Sequence, residues 1–428
     1  MTLRQTGEPR PASIPGLSKT SEIPAHVPPE LVYDLDVYEA ASTAVDPWAK
    51  TAEVFSRLPR IVYWPKPRPG RFDGAWVATR YEDIREVYQN DEVYSTRDSA
   101  NFQNLVGETF RMIPMAIDPP EHGKYRLFLN PWFSPKAVNH LEGDILASVN
   151  ELIDGFAAAG KVDAAYDFGR IYPVRVFLNL MGFPLDLIDQ FLSWEYQILH
   201  SHGDAEVMRS GISSALQYLR SFIEEVRRQP RPGLGSQIVH GSIDGRPLSE
   251  DEILGTTFFL WVGGLDTVAS STVLILRRLA LQPDLQAYLR DDLSLIPQAV
   301  EEFLRTQPIV TSSRYVKKDH VLGGVKIKEG DHILCFNSAG NFDPAEFEAS
   351  REFVLDRASN RHFTLGGGPH RCLGSHLARR ELRIALTQFL SRIPTFSLAP
   401  GADRTAHPGL MSTAHLPLVW KPGAALAA

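Results

Sequence analysis

Between Ile253 and Leu276 the chain carries one charged residue, Asp266, and a stretch this long and apolar has two possible destinations. It either spans a bilayer, which takes about 20 apolar residues, or lies at the centre of a protein large enough to surround it. Ser249 and Glu252 have the spacing of a capping box, so the stretch reads as one helix running from there through Arg278. A bilayer would hold Asp266 near its midplane at roughly 2.5–3.5 kcal/mol, with Thr256, Thr257, Ser270, Ser271 and Thr272 beside it. A protein core can hydrogen-bond all of these groups. With 428 residues, 43% of them hydrophobic, the chain is long enough to bury such a helix on every side, and no membrane association is expected.

The rest of the chain fits around that helix. Six prolines among residues 1–30 and no apolar period mark an N-terminal arm, and residues 31–428, with no internal linker, read as a single domain. RIVYWP (60–65) and GAWVATR (74–80) predict an antiparallel strand pair. From about Pro119 to Leu304 apolar residues recur every three or four positions, as in Leu141, Ile145, Val149, Ile153 and Phe156, which predicts helices. VLGGVKI (321–327) and HILCF (332–336) return to strands. The expected class is mainly α with a smaller β region. A net charge of −7 with scattered basic residues argues against nucleic acid. Two cysteines and no secretory leader point to the cytoplasm.

The chemistry concentrates in FTLGGGPHRCLGSHLARREL (363–382). Cys372 follows a glycine-rich loop and precedes the helical run Leu373, Leu377, Leu382, Leu386, Phe389, which places it at a helix N-terminus, where a thiolate is favoured. Such a cysteine could instead be a small buried hydrophobe, as Cys335 in its strand is expected to be. Phosphate-loop and dinucleotide spacings are absent, and with Cys335 37 residues upstream, zinc is a poor fit.

This segment resembles the cysteine-ligand loop of the cytochrome P450 superfamily: Gly368, His370, Cys372 and Gly374 match, while Leu365 stands where the family usually has Phe. On the central helix, Phe259, Gly263, Asp266, Thr267 and Ser270 share a face, and VGGLDTV is similar to the family's oxygen-binding segment. Glu302, Arg305 and Arg357 resemble its structural Glu-Arg-Arg network, and His122 and Arg126, with Arg314 and His370, its clamp for haem propionates. The resemblance implies a triangular prism with the long central helix over haem b, an iron held by the Cys372 thiolate, Thr267 orienting oxygen and water, and Asp266 feeding protons. Gly368 and Gly374 would lie close to the haem.

The likeness is strongest to the bacterial camphor-hydroxylating members, whose substrate-bonding Tyr is here Phe110. An apolar wall implies a less polar terpenoid or norisoprenoid, with Phe110, Met112, Phe259, Val262, Gly263, Val310, Leu410 and Met411 as candidate lining. The chain has no room for a reductase domain, so the resemblance implies a [2Fe–2S] ferredoxin with an NAD(P)H reductase, docking near Lys124, Arg126 and Arg371. The alternatives are a peroxide-using or isomerising haem-thiolate enzyme, a non-catalytic haem sensor and a haem-free cysteine nucleophile. His200 and His202 could suggest a metal site but read as solvated loop residues.

Overall fold

Ile61–Trp64 and Ala75–Ala78 pair antiparallel as expected, with Ile61 opposite Ala78. His332–Phe336 lies parallel to Ala75–Ala78 and antiparallel to Thr311–Val316, which in turn pairs with Tyr94–Ser95, completing a five-stranded sheet. Both first strands are buried throughout, so they read as unbroken apolar runs and not as alternation. The computed structural model describes residues 23–34, 44–65, 74–97, 102–201, 204–406 and 414–422. It divides into two compact units.

The first unit, residues 1–99, 304–372 and 405–409, is built around this sheet. Its core gathers Phe55, Ile61, Trp76, Tyr88, Ile333, Cys335 and Phe363. Helix Pro47–Ser56 starts on Asp46, whose carboxylate accepts from the Ala49 N–H, and Trp48 donates its indole N–H to Pro308 O at 2.8 Å. The end of the proline-rich arm joins the same unit, Tyr33 N–H donating to Tyr63 O at 2.9 Å. Residues 1–22 of the arm lie outside the described residues.

The second unit, residues 100–303, 373–404 and 410–428, is helical, with a small sheet made by Lys161–Asp163, Pro417–Trp420 and Phe396–Leu398. Helix Glu142–Phe156 buries Ile145, Val149, Ile153 and Phe156, the period read from the sequence. The central apolar segment packs against Ile171–Met181, Ile188–Leu199, Ala205–Arg228 and Ser375–Arg392. It is long and apolar enough to cross a membrane, but 72% of its most apolar window is buried in the protein, as a core helix requires.

Two local expectations need correction. The central segment is not one helix: it is broken at Asp266 into Glu250–Leu265 and Thr267–Leu281. Gly263 and Gly264 weaken the ladder just ahead of the break, and hydroxyls compete for its carbonyls. Thr267 Oγ1 donates to Gly263 O at 3.3 Å and Ser271 Oγ to Thr267 O at 2.8 Å. Gly264 is there for contact, because a Cβ would stand 2.5 Å from the Phe177 ring. Secondly, Cys372 is not in a first helical turn. A short 3₁₀ turn, Gly368–His370, precedes it, and the next helix begins only at Ser375, with Gly374 as its N-cap.

Candidate active site

The Cys372 loop is shaped by backbone bonds and by glycines with different duties. Cys372 N–H donates to Leu365 O at 2.8 Å and Gly366 N–H to Phe363 O at 2.7 Å, closing a hairpin-like turn. Gly366 and Gly368 take φ of 71° and 62°, a region that side chains disfavour. A Cβ on Gly368 would stand 2.0 Å from Tyr88 O, whereas Gly374 has nothing within 4 Å. Gly368→Ala is therefore expected to lower stability by more than about 1 kcal/mol, and Gly374→Ala to leave it nearly unchanged, as thermal unfolding of the two variants will read.

Tyr88 braces the loop from within the same unit. Its hydroxyl donates to Asn337 Oδ1 at 2.8 Å, and Arg314 lies over its ring at 5.1 Å while donating to Ser313 O. His370 is 3.3 Å from Thr96 Oγ1. Cys372 itself is exposed, whereas Cys335 is buried strand filler as expected, its thiol pushed up to about 12 by burial. Of the two sulfurs, only Cys372 is accessible as a thiolate donor. Phe363, stacked on Tyr81 at 4.4 Å, puts an aromatic ring into the stem of the loop two positions ahead of Leu365.

In the helical unit, the break sets Asp266 inward and Thr267 on a half-buried face beside Gly263, where nothing stands within 4 Å of a Cβ position. Asp266 is 3% exposed. Its Oδ1 accepts from Ser270 Oγ at 3.0 Å, and its buried Oδ2 has no partner. Phe259 and Val262 are half-buried on the same helix. Phe110 and Met112 are buried; the Phe110 ring meets Phe258 edge-on at 5.9 Å, and Gln103 donates to Phe110 O at 2.8 Å. Val310 is 38% exposed in the sheet unit. Leu410 and Met411 lie outside the described residues.

His122 is buried on helix Glu121–Leu129, one turn from the half-buried Arg126, which donates to Asn130 Oδ1 at 3.1 Å. Lys124 pairs with Asp244, and Arg371 is exposed. Glu302 and Arg305 are fully buried. Arg305 donates to Asn341 O, Ser350 O and Glu352 O at 2.7–2.8 Å. Arg357 binds the neighbouring Glu348 O, and both guanidinium groups lie over the Phe347 ring. The two arginines thus share one scaffold.

Among the buried ionisable groups that the sequence alone did not place are His200, Glu195 and Glu381. His200 is no loop residue: it caps helix Ile188–Leu199, is 8% exposed and bonds Glu195 at 2.9 Å. His202 lies outside the described residues. The signal was Glu195 sitting within the apolar stripe Phe191, Trp194, Ile198. Glu381 is the third, buried on helix Ser375–Arg392, where burial raises its carboxyl well above the ordinary range.

Residues 204–405 match the family model described as cytochrome P450. The chain is 36% identical, over 94% of its length and 98% of the other, to the probable cytochrome P450 127A1 of Sinorhizobium fredii. The chain belongs to the cytochrome P450 family. It is also 32% identical, over 82% of its length and 91% of the other, to the mycinamicin IV hydroxylase/epoxidase of Micromonospora griseorubida. The crystal structure of cytochrome P450 CYP101C1 superposes with a TM-score of 0.81 at 31% identity, covering 93% of this chain and all of that one. That of CYP101J2 does so at 0.79 and 29% identity, covering 94% and 99%. Cytochromes P450 are monooxygenases that carry haem on a cysteine thiolate and use dioxygen and redox partners. The residues present fit that group: the exposed thiol of Cys372 follows glycines that keep side chains off its approach, and the second cysteine, Cys335, is buried.

Proposed function

We propose that this cytochrome P450 hydroxylates unactivated C–H bonds of a small apolar terpenoid or norisoprenoid, with electrons from a [2Fe–2S] ferredoxin and its NAD(P)H reductase, in the cytoplasm. The observation that carries this reading is the break at Asp266, which puts a buried acid and an accessible hydroxyl at adjacent positions of the central helix. Haem, when bound, supplies the activation of dioxygen and of the C–H bond.

The chain's own residues do the rest. Cys372 Sγ anchors the iron. Thr267 Oγ1 orients oxygen and water, and the Asp266 carboxyl holds and releases the protons that dioxygen reduction consumes. His122, Arg126, Arg314 and His370 would hold the propionates. Phe110, fixed against Phe258, offers the substrate a ring edge and no hydroxyl. A carbonyl brought to that wall would give up its water without gaining a donor, which favours less polar substrates. Relatives named for hydroxylation support oxygen insertion as the outcome.

The test is a terpenoid panel scored by the spectral change on binding and by ferredoxin-supported product. Apolar terpenoids should outrank camphor. Phe110→Tyr should then tighten a terpenoid ketone relative to its hydrocarbon by about 0.5–1.5 kcal/mol, read by spectral titration. Camphor ranking first on the wild-type protein would overturn the reading of Phe110.

A further inference from the structure

Three buried ionisable side chains, two from one helix and its cap and one from 66 positions further along, converge beside the break in the central helix. His200 Nε2 is 2.9 Å from Glu195 Oε1 and 3.7 Å from Asp266 Oδ1, and the three groups can bring one ligand atom each within 4.8 Å of one another. Glu195 Oε2 also faces Arg170 at 3.7 Å. With both carboxylates ionised, the pair shares one permanent cation, Arg170, and a proton on His200 makes the cluster neutral; burial pushes the Glu195 carboxyl up, which the hydrogen bond to His200 opposes. Uncompensated charge in such a place is strongly disfavoured. His200 also caps the C-terminal end of its helix, where the backbone carbonyls favour a cation.

We propose that protonated His200, braced by Glu195, is a positioning residue for Asp266: it fixes the Oδ1 side of that carboxylate and so makes proton delivery dependent on its own charge. This rests on the reading of Asp266 as the proton-delivering acid. With Oδ1 held between Ser270 and His200, the unpartnered Oδ2 is left as the oxygen that can carry a proton. The groups bearing on His200 come from three elements: Glu195 on its own helix, Asp266 with Ser270 on the central helix, and Arg170 ahead of helix Ile171–Met181. Tyr196 adds a ring at 5.6 Å. Helix Ala205–Arg228 meets the same helix through Gly211 against Ile198 and Tyr218 against Trp194.

The sign of the pH dependence follows from the cluster. Burial opposes charging of His200, but its interactions with Asp266 and Glu195 outweigh that and push it up to about 9. The imidazolium is therefore fully formed below an ordinary histidine's pKa of about 6.5, and its contribution is lost as pH rises through about 9.

The experiment uses the haem-loaded full chain with its electron donor. In His200→Gln, product formed per electron pair should fall at least about tenfold, within the roughly 100-fold that misplacing a catalytic group costs, and the alkaline limb near pH 9 should disappear. His200→Arg, permanently charged, should restore part of the coupling and show no such limb. Independently of turnover, the His200 ring signal in labelled protein should titrate near pH 9 in the wild type and at lower pH in Asp266→Asn. An ordinary histidine midpoint, or His200→Gln with wild-type coupling and limb, would overturn the proposal. Should Asp266→Asn itself keep wild-type coupling, the reading of Asp266 fails, while the titration still reports on the cluster. Stoichiometric binding of added Zn²⁺, lost in His200→Gln, would make the cluster a metal site and overturn the positioning role.

Discussion

Cys372→Ser will abolish the carbon-monoxide spectrum of thiolate-ligated haem and, with it, monooxygenase turnover, while the polypeptide keeps its fold. The side chain is exposed, so the near-isosteric exchange of sulfur for oxygen leaves no buried cavity. The turn is closed by backbone, Cys372 N–H to Leu365 O and Gly366 N–H to Phe363 O, and serine preserves both bonds. What disappears is the accessible thiolate, since the other cysteine, Cys335, is sealed in its strand. Far-ultraviolet circular dichroism should match the wild type. A carbon-monoxide spectrum unchanged by the substitution would remove Cys372 from the iron and the proposed function with it.

Arg305→Ala is expected to cost about 3 kcal/mol or more, because three buried or part-buried carbonyls each lose a donor at about 1–3 kcal/mol. Arg305 is fully buried, and its removal strands the carbonyls of Asn341, Ser350 and Glu352 without donors. The damage should reach the cysteine loop. Asn341 Nδ2 donates to Arg305 O and to Thr364 Oγ1, and Asn341 Oδ1 accepts from Phe363 N–H, so the scaffold of Arg305 is also the stem of the loop. Chemical denaturation should show the loss of stability, and haem content should fall in parallel. Arg305→Lys, which can reach some of the same carbonyls, should recover part of both. Wild-type stability in Arg305→Ala would mean that the network is dispensable.

Much of the architecture was legible because it is written in short-range patterns. The capping box is present as read, Ser249 N–H donating to Glu252 Oε2 at 2.7 Å and Glu252 N–H to Ser249 Oγ at 3.3 Å. The strand pair 61–64 and 75–78, the helical period of 142–156 and the glycine-rich approach to Cys372 all lie within a few residues of their own signals. The glycine pair 263–264 marks a weak point in the central helix, but the full break at Asp266 was not legible, because it depends on hydroxyls competing for carbonyls one turn back. His200 was misplaced for a related reason. Two histidines flanking a serine look solvated, and only the tertiary fold brings a carboxylate from 66 positions further along to face one of them.

Gly255 ties the candidate substrate wall to the central helix. A Cβ there would stand 2.0 Å from Arg111 O, so the backbone carrying Phe110 and Met112 rests directly on helix Glu250–Leu265. A residue exchanged at position 110 is thereby mounted on a rail that the exchange does not shift. If the proposed wall is the one the substrate meets, chemists wishing to retune which molecules this catalyst accepts would gain a single adjustable tooth, whose polarity and bulk can be varied while the register of its neighbours stays put.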